Sequence, residues 1–161
     1  QKQLDFKLTI DDKVPTYIES DKTKIRQLIK NLLDNAIKFT KTGHISLNIK
    51  TVFTRAQRIT LAVIVEDTGV GIKKEDQEKI FVRFNRLENA KDIEGVGLGL
   101  SIVKEITELL GGSINVKSDH KKGSCITVNI KAKYPVTQKL ESFKNSKKLF
   151  QKNTQVNGQT F

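Results

Sequence analysis

The chain has 161 residues, of which 37% are hydrophobic and 29% charged, and this fits one globular domain and excludes fibrous and fully disordered classes. Its longest apolar run, residues 61–65, is far shorter than the roughly 20 residues that cross a bilayer, and no secretory signal opens the chain, so we expect a cytoplasmic fragment without membrane contact. The formal net charge of +11 raises nucleic acid as a partner, but 24 of the 29 basic residues are scattered lysines, so we expect no nucleic-acid binding.

The first half of the chain predicts strands around one long helix. Residues 4–10 predict a strand, and residues 14–19 predict a second short strand. A helix is predicted to begin at Ser20 or Asp21, either of which can cap it, and to end before Gly43. Its apolar residues follow helical spacing at positions 25, 28, 29, 32, 33, 36 and 37. Two strands rich in Ile, Val and Thr follow, at 44–54 and 58–66.

The second half predicts a glycine-bearing loop at 67–71, a short polar helix near 73–80, a loop at 85–97, a helix at 98–110 and strands at 113–118 and 124–133. The second long helix should bury Leu98, Ile102, Ile106 and Leu109. Hairpins without regular βαβ alternation predict an α+β fold, a two-layer sandwich of helices on a mixed, mostly antiparallel sheet. We expect the domain to span 1–135 and residues 136–161 to form a polar, Lys-rich linker or tail.

A polar stripe lies on the first predicted helix. Asn31, Asn35 and Lys38 are spaced i, i+4, i+7, which places them close together on one side of the helix. Two amides and an ammonium group can bind a metal ion through oxygen and an oxyanion through nitrogen. The same spacing also describes the solvated face of an amphipathic helix, and the stripe alone does not decide between the two.

Two glycine clusters are candidate phosphate sites, one at 67–71 after a strand and one at 95–99 before a helix. Glycine lets backbone amides approach a phosphate, and Gly97 and Gly99 lie where a helix N-terminus favours an anion. Neither cluster matches the P-loop or the Rossmann fingerprint. Each cluster alone is therefore weak evidence for a nucleotide.

Taken together, four motifs occur in order: NLLDNAIKFT (31–40), DTGVGI (67–72), IFVRFNR (80–86) and GVGLGLSIVK (95–104). In this order the chain resembles the catalytic ATP-binding domain of two-component sensor histidine kinases, which has a Bergerat-type fold. The four segments look like the N, G1, F and G2 boxes of that family. The resemblance covers about residues 4–135 and implies a mobile ATP lid at 85–96.

The resemblance implies a role for each motif residue. Asp67 would accept a hydrogen bond from the adenine amino group, with Gly71 leaving room for the ring. Asn35 would coordinate Mg²⁺, and Lys38 would contact a phosphate. Asn31 and Arg86 are the catalytic candidates, and Arg86 would either reach the γ-phosphate or be a surface residue. Arg83 is expected to be structural, and Phe81 and Phe84 are expected to pack at the hinge of the lid. The full set of predicted ATP-binding positions is Asn31, Asn35, Lys38, Phe39, Asp67, Gly69, Gly71, Ile72, Gly95, Gly97, Leu98, Gly99 and Thr127.

One position departs from the ATP-hydrolysing relatives of this fold. Those relatives carry a glutamate that activates water where this chain has Asn31, and a neutral amide is no general base at pH 7. We therefore predict slow hydrolysis of ATP by water. In the family the acceptor of the γ-phosphoryl group is a histidine on a separate helical dimerisation domain, usually followed by an acidic residue. His44 and His120 are neither on a predicted helix nor followed by a carboxylate, and they are expected to be surface residues.

The resemblance implies the partners as well. They are ATP or ADP, the histidine-bearing dimerisation domain of a homodimeric parent, and a response-regulator receiver domain that the Lys-rich tail would join in a hybrid kinase. A start at Gln1 without methionine indicates a piece of a longer protein. Two alternatives remain: a nucleotide-binding module without transfer activity, and a basic nucleic-acid binder. Cys125, the single cysteine, excludes an internal disulfide and is expected to be half-buried in a strand.

Overall fold

The computed structural model of the chain describes residues 3–85 and 97–134. The predicted tail and most of the predicted lid, including Arg86 and Gly95, lie outside these residues. Two α-helices, five strands and two short 3₁₀ helices make up the described part. The α-helices are α1 (Lys22–Phe39) and α2 (Gly99–Leu109), the 3₁₀ helices are Lys74–Asp76 and Lys79–Phe81, and the strands are β1 (Leu4–Ile10), β2 (Gly43–Arg55), β3 (Arg58–Asp67), β4 (Ser113–Asp119) and β5 (Gly123–Lys133).

The five strands form one sheet in the order β1-β2-β3-β5-β4. Only β1 pairs in parallel, with β2, and the other three pairings are antiparallel. This confirms the predicted α+β class and the mixed, mostly antiparallel sheet. The short polar helix predicted near 73–80 is present as the two 3₁₀ turns.

The predicted strand at 14–19 is wrong. In this segment only Glu19 makes a β-bridge, with Lys133, while the Val14 amide donates to the Asp11 carbonyl in a turn. Pro15 lacks an amide hydrogen and has a fixed φ, so it cannot contribute to a ladder there.

Helix α1 follows the sequence pattern closely. Asp21 is its N-cap, and the carboxylate accepts from the Lys24 amide at 2.9 Å. Leu28, Leu32 and Ala36 are buried between the helix and the sheet. Ile37 was predicted to be part of the same apolar stripe, but 48% of its surface is exposed because it lies at the margin of the stripe.

Helix α2 is rotated from the predicted orientation. Val103, Ile106 and Thr107 are buried, whereas Leu109 is 70% exposed. The Thr107 hydroxyl donates to the Val103 carbonyl at 2.7 Å, and this satisfied hydroxyl can be buried at little cost. In the described ranges, neither helix is long and apolar enough to cross a membrane.

The edge strand β1 leaves apolar side chains uncovered. Register pairs Phe6, Leu8 and Ile10 with β2 residues that belong to the core face of the sheet. Their exposed fractions are 57%, 48% and 38%, so the helix layer does not extend over this edge.

Candidate nucleotide-binding site

The loop after β3, residues 67–71, is pressed against the end of α1. The Val70 amide donates to the Phe39 carbonyl at 3.3 Å, and a Cβ on Gly69 would come within 2.4 Å of that same oxygen. On the other side, the Thr68 hydroxyl accepts from the His44 amide at 3.0 Å. Glycine at position 69 is therefore required by the close approach of loop and helix.

The β4–β5 hairpin holds the loop from the opposite direction. The Lys121 amide donates to the Val70 carbonyl at 2.7 Å. Gly71 has φ +64°, and a Cβ there would lie 2.0 Å from the Asp119 carbonyl oxygen. The hairpin backbone thus occupies the space that a side chain at position 71 would need, so packing alone requires glycine there. The predicted contact of Gly71 with adenine stays a prediction.

Asp67 ends β3 on the helix-covered face of the sheet, with its side chain half-buried. Its carboxylate accepts the Gly69 amide at 2.8 Å, closing a turn over the loop. Burial raises the pKa of this carboxyl, and the hydrogen bonds from the Gly69 and Ser124 amides oppose the rise in its pKa. The arrangement fixes one carboxylate, an acceptor, at the edge of the sheet.

The prediction for Thr127 is wrong in its placement. Thr127 pairs with Ile64 and alternates with Ile126 and Val128, which belong to the core. Its side chain is therefore on the sheet face away from the helices and from Asp67. The residue that stands directly opposite Asp67 is Ser124.

Sequence reasoning missed Ser124 and its neighbour Ser118. The two hydroxyl oxygens are 3.0 Å apart, and the Ser118 hydroxyl also accepts from the Ile72 amide at 2.8 Å. The signal that could have identified Ser124 is its position after Gly123 at the start of β5, because the start of a strand lies beside the end of its antiparallel neighbour, here Asp67 of β3. Ile72, a predicted ligand contact, lies beside this pair.

The polar stripe of α1 carries an ordered amide pair. The Asn35 side-chain nitrogen donates to the Asn31 carbonyl at 2.8 Å, which directs the amide oxygen of Asn35 away from the helix. The Asn31 side-chain nitrogen is buried and has no partner among the described residues. The Lys38 ammonium lies 5.0 Å from the centre of the Phe39 ring. The stripe is therefore half-buried and partly unsatisfied, which a purely solvated helix face would not be.

The start of α2 meets this stripe. A Cβ on Gly99 would lie 2.8 Å from the Asn35 side-chain nitrogen, and Gly97 has φ +77°. Leu98, the N-cap residue, gives no side-chain hydrogen bond to the first turn. The first amides of α2, close to Asn35, thus lack a partner within the helix, a setting that favours an oxyanion.

The segment that follows the 3₁₀ helices joins the start of α2. The Phe84 amide donates to the Gly97 carbonyl at 3.2 Å, and the Arg83 guanidinium bonds to Glu105 of α2 at 2.6 Å. The structural role predicted for Arg83 agrees with this ion pair. Phe84, predicted to pack, has 68% of its surface exposed and φ +61°, so among the described residues its backbone makes the contact.

The remaining candidates are on the surface or in strands. His44 and His120 are exposed, as predicted. Cys125 is half-buried, and desolvation together with the nearby Glu66 carboxylate raises the pKa of its thiol, which keeps it protonated and unreactive at neutral pH.

The donor set fits a nucleotide and a magnesium ion that arrives with it. The described residues contain no group of three or more His, Cys, Asp or Glu side chains that could hold a metal. They do offer one outward amide oxygen on Asn35, a hard ligand of the kind Mg²⁺ takes from proteins when phosphates and water supply the rest. The orphaned amide of Asn31 is a donor suited to a phosphate oxygen.

Comparison with known proteins gives a consistent result. A family model described as histidine kinase-, DNA gyrase B- and HSP90-like ATPase matches residues 20–134. Hybrid signal transduction histidine kinase B of Dictyostelium discoideum is 35% identical over 139 residues, 85% of this chain and 7% of that protein. The sensor histidine kinase RcsC of Escherichia coli K12 is 36% identical over 146 residues, 88% of this chain and 15% of that protein. The chain thus spans a small part of these relatives.

Solved structures show the same similarity. The catalytic domain of histidine kinase ThkA aligns with a TM-score of 0.61 and 30% identity, covering 82% of each chain. Full-length ShkA in complex with AMPPNP aligns with a TM-score of 0.66 and 26% identity over 83% of this chain and 27% of ShkA.

Proposed function

The chain belongs to the histidine kinase-, DNA gyrase B- and HSP90-like ATPases, as an ATP-binding catalytic domain of the sensor histidine kinase type, and from this premise we propose that it donates the γ-phosphoryl group of Mg-ATP to a histidine on another domain. The observation that carries the proposal is the convergence of Asp67, the Asn31–Asn35 amide pair and the uncapped start of α2 on one side of the sheet end.

Asp67 would select the base. Its carboxylate is held by backbone amides and would accept a hydrogen bond from the adenine amino group. A base without an amino group at that place could not make this hydrogen bond and should bind more weakly. The loop it belongs to is fixed between α1 and the β4–β5 hairpin, so the acceptor is positioned before a ligand arrives.

Asn35, Asn31 and the first turn of α2 would hold the phosphates. A magnesium ion, when bound, neutralises charge on the phosphate oxygens during transfer. The Asn35 amide oxygen would hold that ion, and the amides at the start of α2 would donate to the phosphate oxygens that the ion does not contact. Lys38 would add a point charge. These residues would contribute to phosphoryl transfer by positioning the phosphates and neutralising their charge.

Asn31 sets the expected fate of the phosphoryl group. It bears an amide that can donate to phosphate and cannot take a proton from water at neutral pH. Transfer to water should therefore be slow, and a nucleophile supplied by a second domain should be the acceptor.

The partners proposed for the parent protein follow from the relatives. The parent would be a homodimer in the cytoplasm, with a histidine-bearing dimerisation domain and a receiver domain. Similarity to the hybrid signal transduction histidine kinase B of Dictyostelium supports the receiver domain. RcsC supports the sensor function. Arg86 and Gly95 keep their proposed phosphate contacts as predictions.

The test is transfer in trans. The chain is incubated with γ-labelled Mg-ATP and a dimerisation domain that carries a histidine, with the same domain bearing histidine-to-glutamine as the matched control. We expect label on the histidine domain only, lost with Asn35→Ala. Binding of ATP without any transfer to several such domains would instead identify a nucleotide-binding module that signals by conformation.

A further inference from the structure

A second charged region lies at the opposite end of the sheet from Asp67. A groove of about 740 Å³ opens between the start of β3, the end of β5 and the turn before α1. It is lined by Glu19, Ser20, Phe53, Arg58, Ile59, Thr60, Lys131, Ala132 and Lys133. Its volume lies within the range of small-molecule sites, about 300–1,000 Å³.

Three cations stand side by side across this end of the sheet. The register places Arg55 directly opposite Arg58, and Arg58 directly opposite Lys133. Neighbouring strands are about 4.8 Å apart, so the row extends over about 10 Å. Like charges directly opposite one another on a sheet destabilise it. Nothing in the core packing requires them, because this face of the strands is turned away from the helices.

The next row adds to the same surface. Phe53, Thr60 and Lys131 are paired across the same three strands. Phe53 is 53% exposed, which leaves an aromatic surface beside the cations. A β-bulge between Thr51 and Phe53 turns this side chain onto the cationic face.

No ion pair among the described residues neutralises these charges. Within the part of the chain that the structure describes, Arg55, Arg58, Lys131 and Lys133 take part in no ion pair. Glu19 is the acidic residue of the groove, and its contacts to Lys133 are between backbone groups, at 2.8 and 3.2 Å. Of the five arginines of the chain, two lie in this row, and arginine is the residue suited to bidentate phosphate binding.

We propose that this groove binds a small organic anion carrying two phosphate groups. Arg58, Lys131 and Lys133 line the groove on two neighbouring strands, and their three positive charges suit two phosphate groups better than the single charge of a carboxylate. Phe53 supplies an apolar surface for the organic part. This inference does not depend on the proposed transfer reaction, since the groove shares no residue with the nucleotide site.

The test is an amide NMR titration of the whole chain with inorganic pyrophosphate, at low and at physiological salt. We expect saturable shifts at Arg58, Thr60, Lys131 and Lys133. Arg58→Gln and Lys131→Gln should each weaken this binding about tenfold, the equivalent of one charge-assisted contact. Lys117→Gln, on the same face but at the far end of β4, is the matched control and should leave it unchanged.

Three results would overturn the inference. Shifts spread evenly over all surface lysines, without saturation, would show counterion condensation only. Shifts confined to residues 67–72 and 97–101 would place the anion in the nucleotide site and leave the groove empty, while supporting the function proposed above. Binding to vesicles of anionic phospholipid or to an acidic peptide, with no groove shifts from pyrophosphate, would assign the surface to a macromolecule instead.

Discussion

The side-chain nitrogen of Asn35 lies 2.8 Å from the point where a Cβ on Gly99 would stand. Two helices far apart in sequence therefore meet at a position where one of them has no side chain. Asn35 is fixed there by its bond to the Asn31 carbonyl, and its amide oxygen is 3.7 Å from the same point. An amide oxygen and a helix N-terminus at this distance offer a cation ligand and an anion site together.

Asn35→Ala should reduce the increase in ATP affinity that Mg²⁺ provides. We expect the affinity for ATP without Mg²⁺ to change little, whereas the gain on adding Mg²⁺ should shrink by at least about tenfold, as for other groups that support a bound metal. Calorimetry with and without Mg²⁺ separates the two effects. Equal losses under both conditions would mean that Asn35 supports the fold of the site and not the ion.

Asp67→Asn should lower the affinity for ATP by about 1–3 kcal/mol, because a buried acceptor is replaced by a group that also presents a donor. Thr127→Val is the control. Its side chain is on the opposite face of the sheet, so the affinity should match that of the wild type. A loss in Thr127→Val comparable to that in Asp67→Asn would restore Thr127 to the site.

Asn31→Glu should change the fate of ATP. A carboxylate at this position adds a general base, and we expect hydrolysis by water to rise by up to about 100-fold, the lower end of what a positioned base supplies. Asn31→Gln keeps the neutral amide and should stay slow. The rate of phosphate release is measured for the wild type and for both variants. Fast hydrolysis by the wild type would contradict the role assigned to Asn31.

Gly71→Ala and Gly111→Ala form a matched pair for stability. Both glycines have nearly the same φ, +64° and +62°, but a Cβ would meet the Asp119 carbonyl at 2.0 Å in one case and the Lys131 side chain at 3.6 Å in the other. The left-handed conformation alone costs about 1–2 kcal/mol. We expect Gly71→Ala to lose at least about 3 kcal/mol in urea unfolding and Gly111→Ala to lose only the conformational part.

The raised pKa of Asp67 predicts a pH effect on stability. Because the folded state binds this proton more tightly than the unfolded state, the carboxyl favours folding when protonated, and that contribution is lost as the pH rises from about 4 through the raised pKa. The free energy of unfolding of the wild type, relative to that of Asp67→Asn, should therefore fall across this window and stay flat above it. An opposite slope would mean that the amide hydrogen bonds outweigh burial.

The α1 stripe and the five strands could be predicted because their residues repeat at the period of the element. The position of helix α2 along the chain was predicted correctly, but the side of the helix that is buried was not. Thr107 is a polar residue in the sequence, and it is buried only because its hydroxyl donates to the Val103 carbonyl. Thr127 failed for a related reason. Alternation along a strand reverses the face at each residue, so a site residue must be chosen by its register with Asp67, which only the folded sheet supplies.

The uncovered side of β1 has a consequence for handling the isolated chain. Among the described residues, β1 is an edge strand with no partner on its outer side, and with Phe6, Leu8 and Ile10 exposed it is a surface to which another strand can add. The net charge of +11 keeps copies apart over a distance that shrinks from about 10 Å at 0.1 M salt to about 3 Å at 1 M. We therefore expect solubility to fall as the ionic strength rises, because concentrated salt would promote strand-to-strand association. In dilute buffer the same repulsion should keep copies of the chain apart.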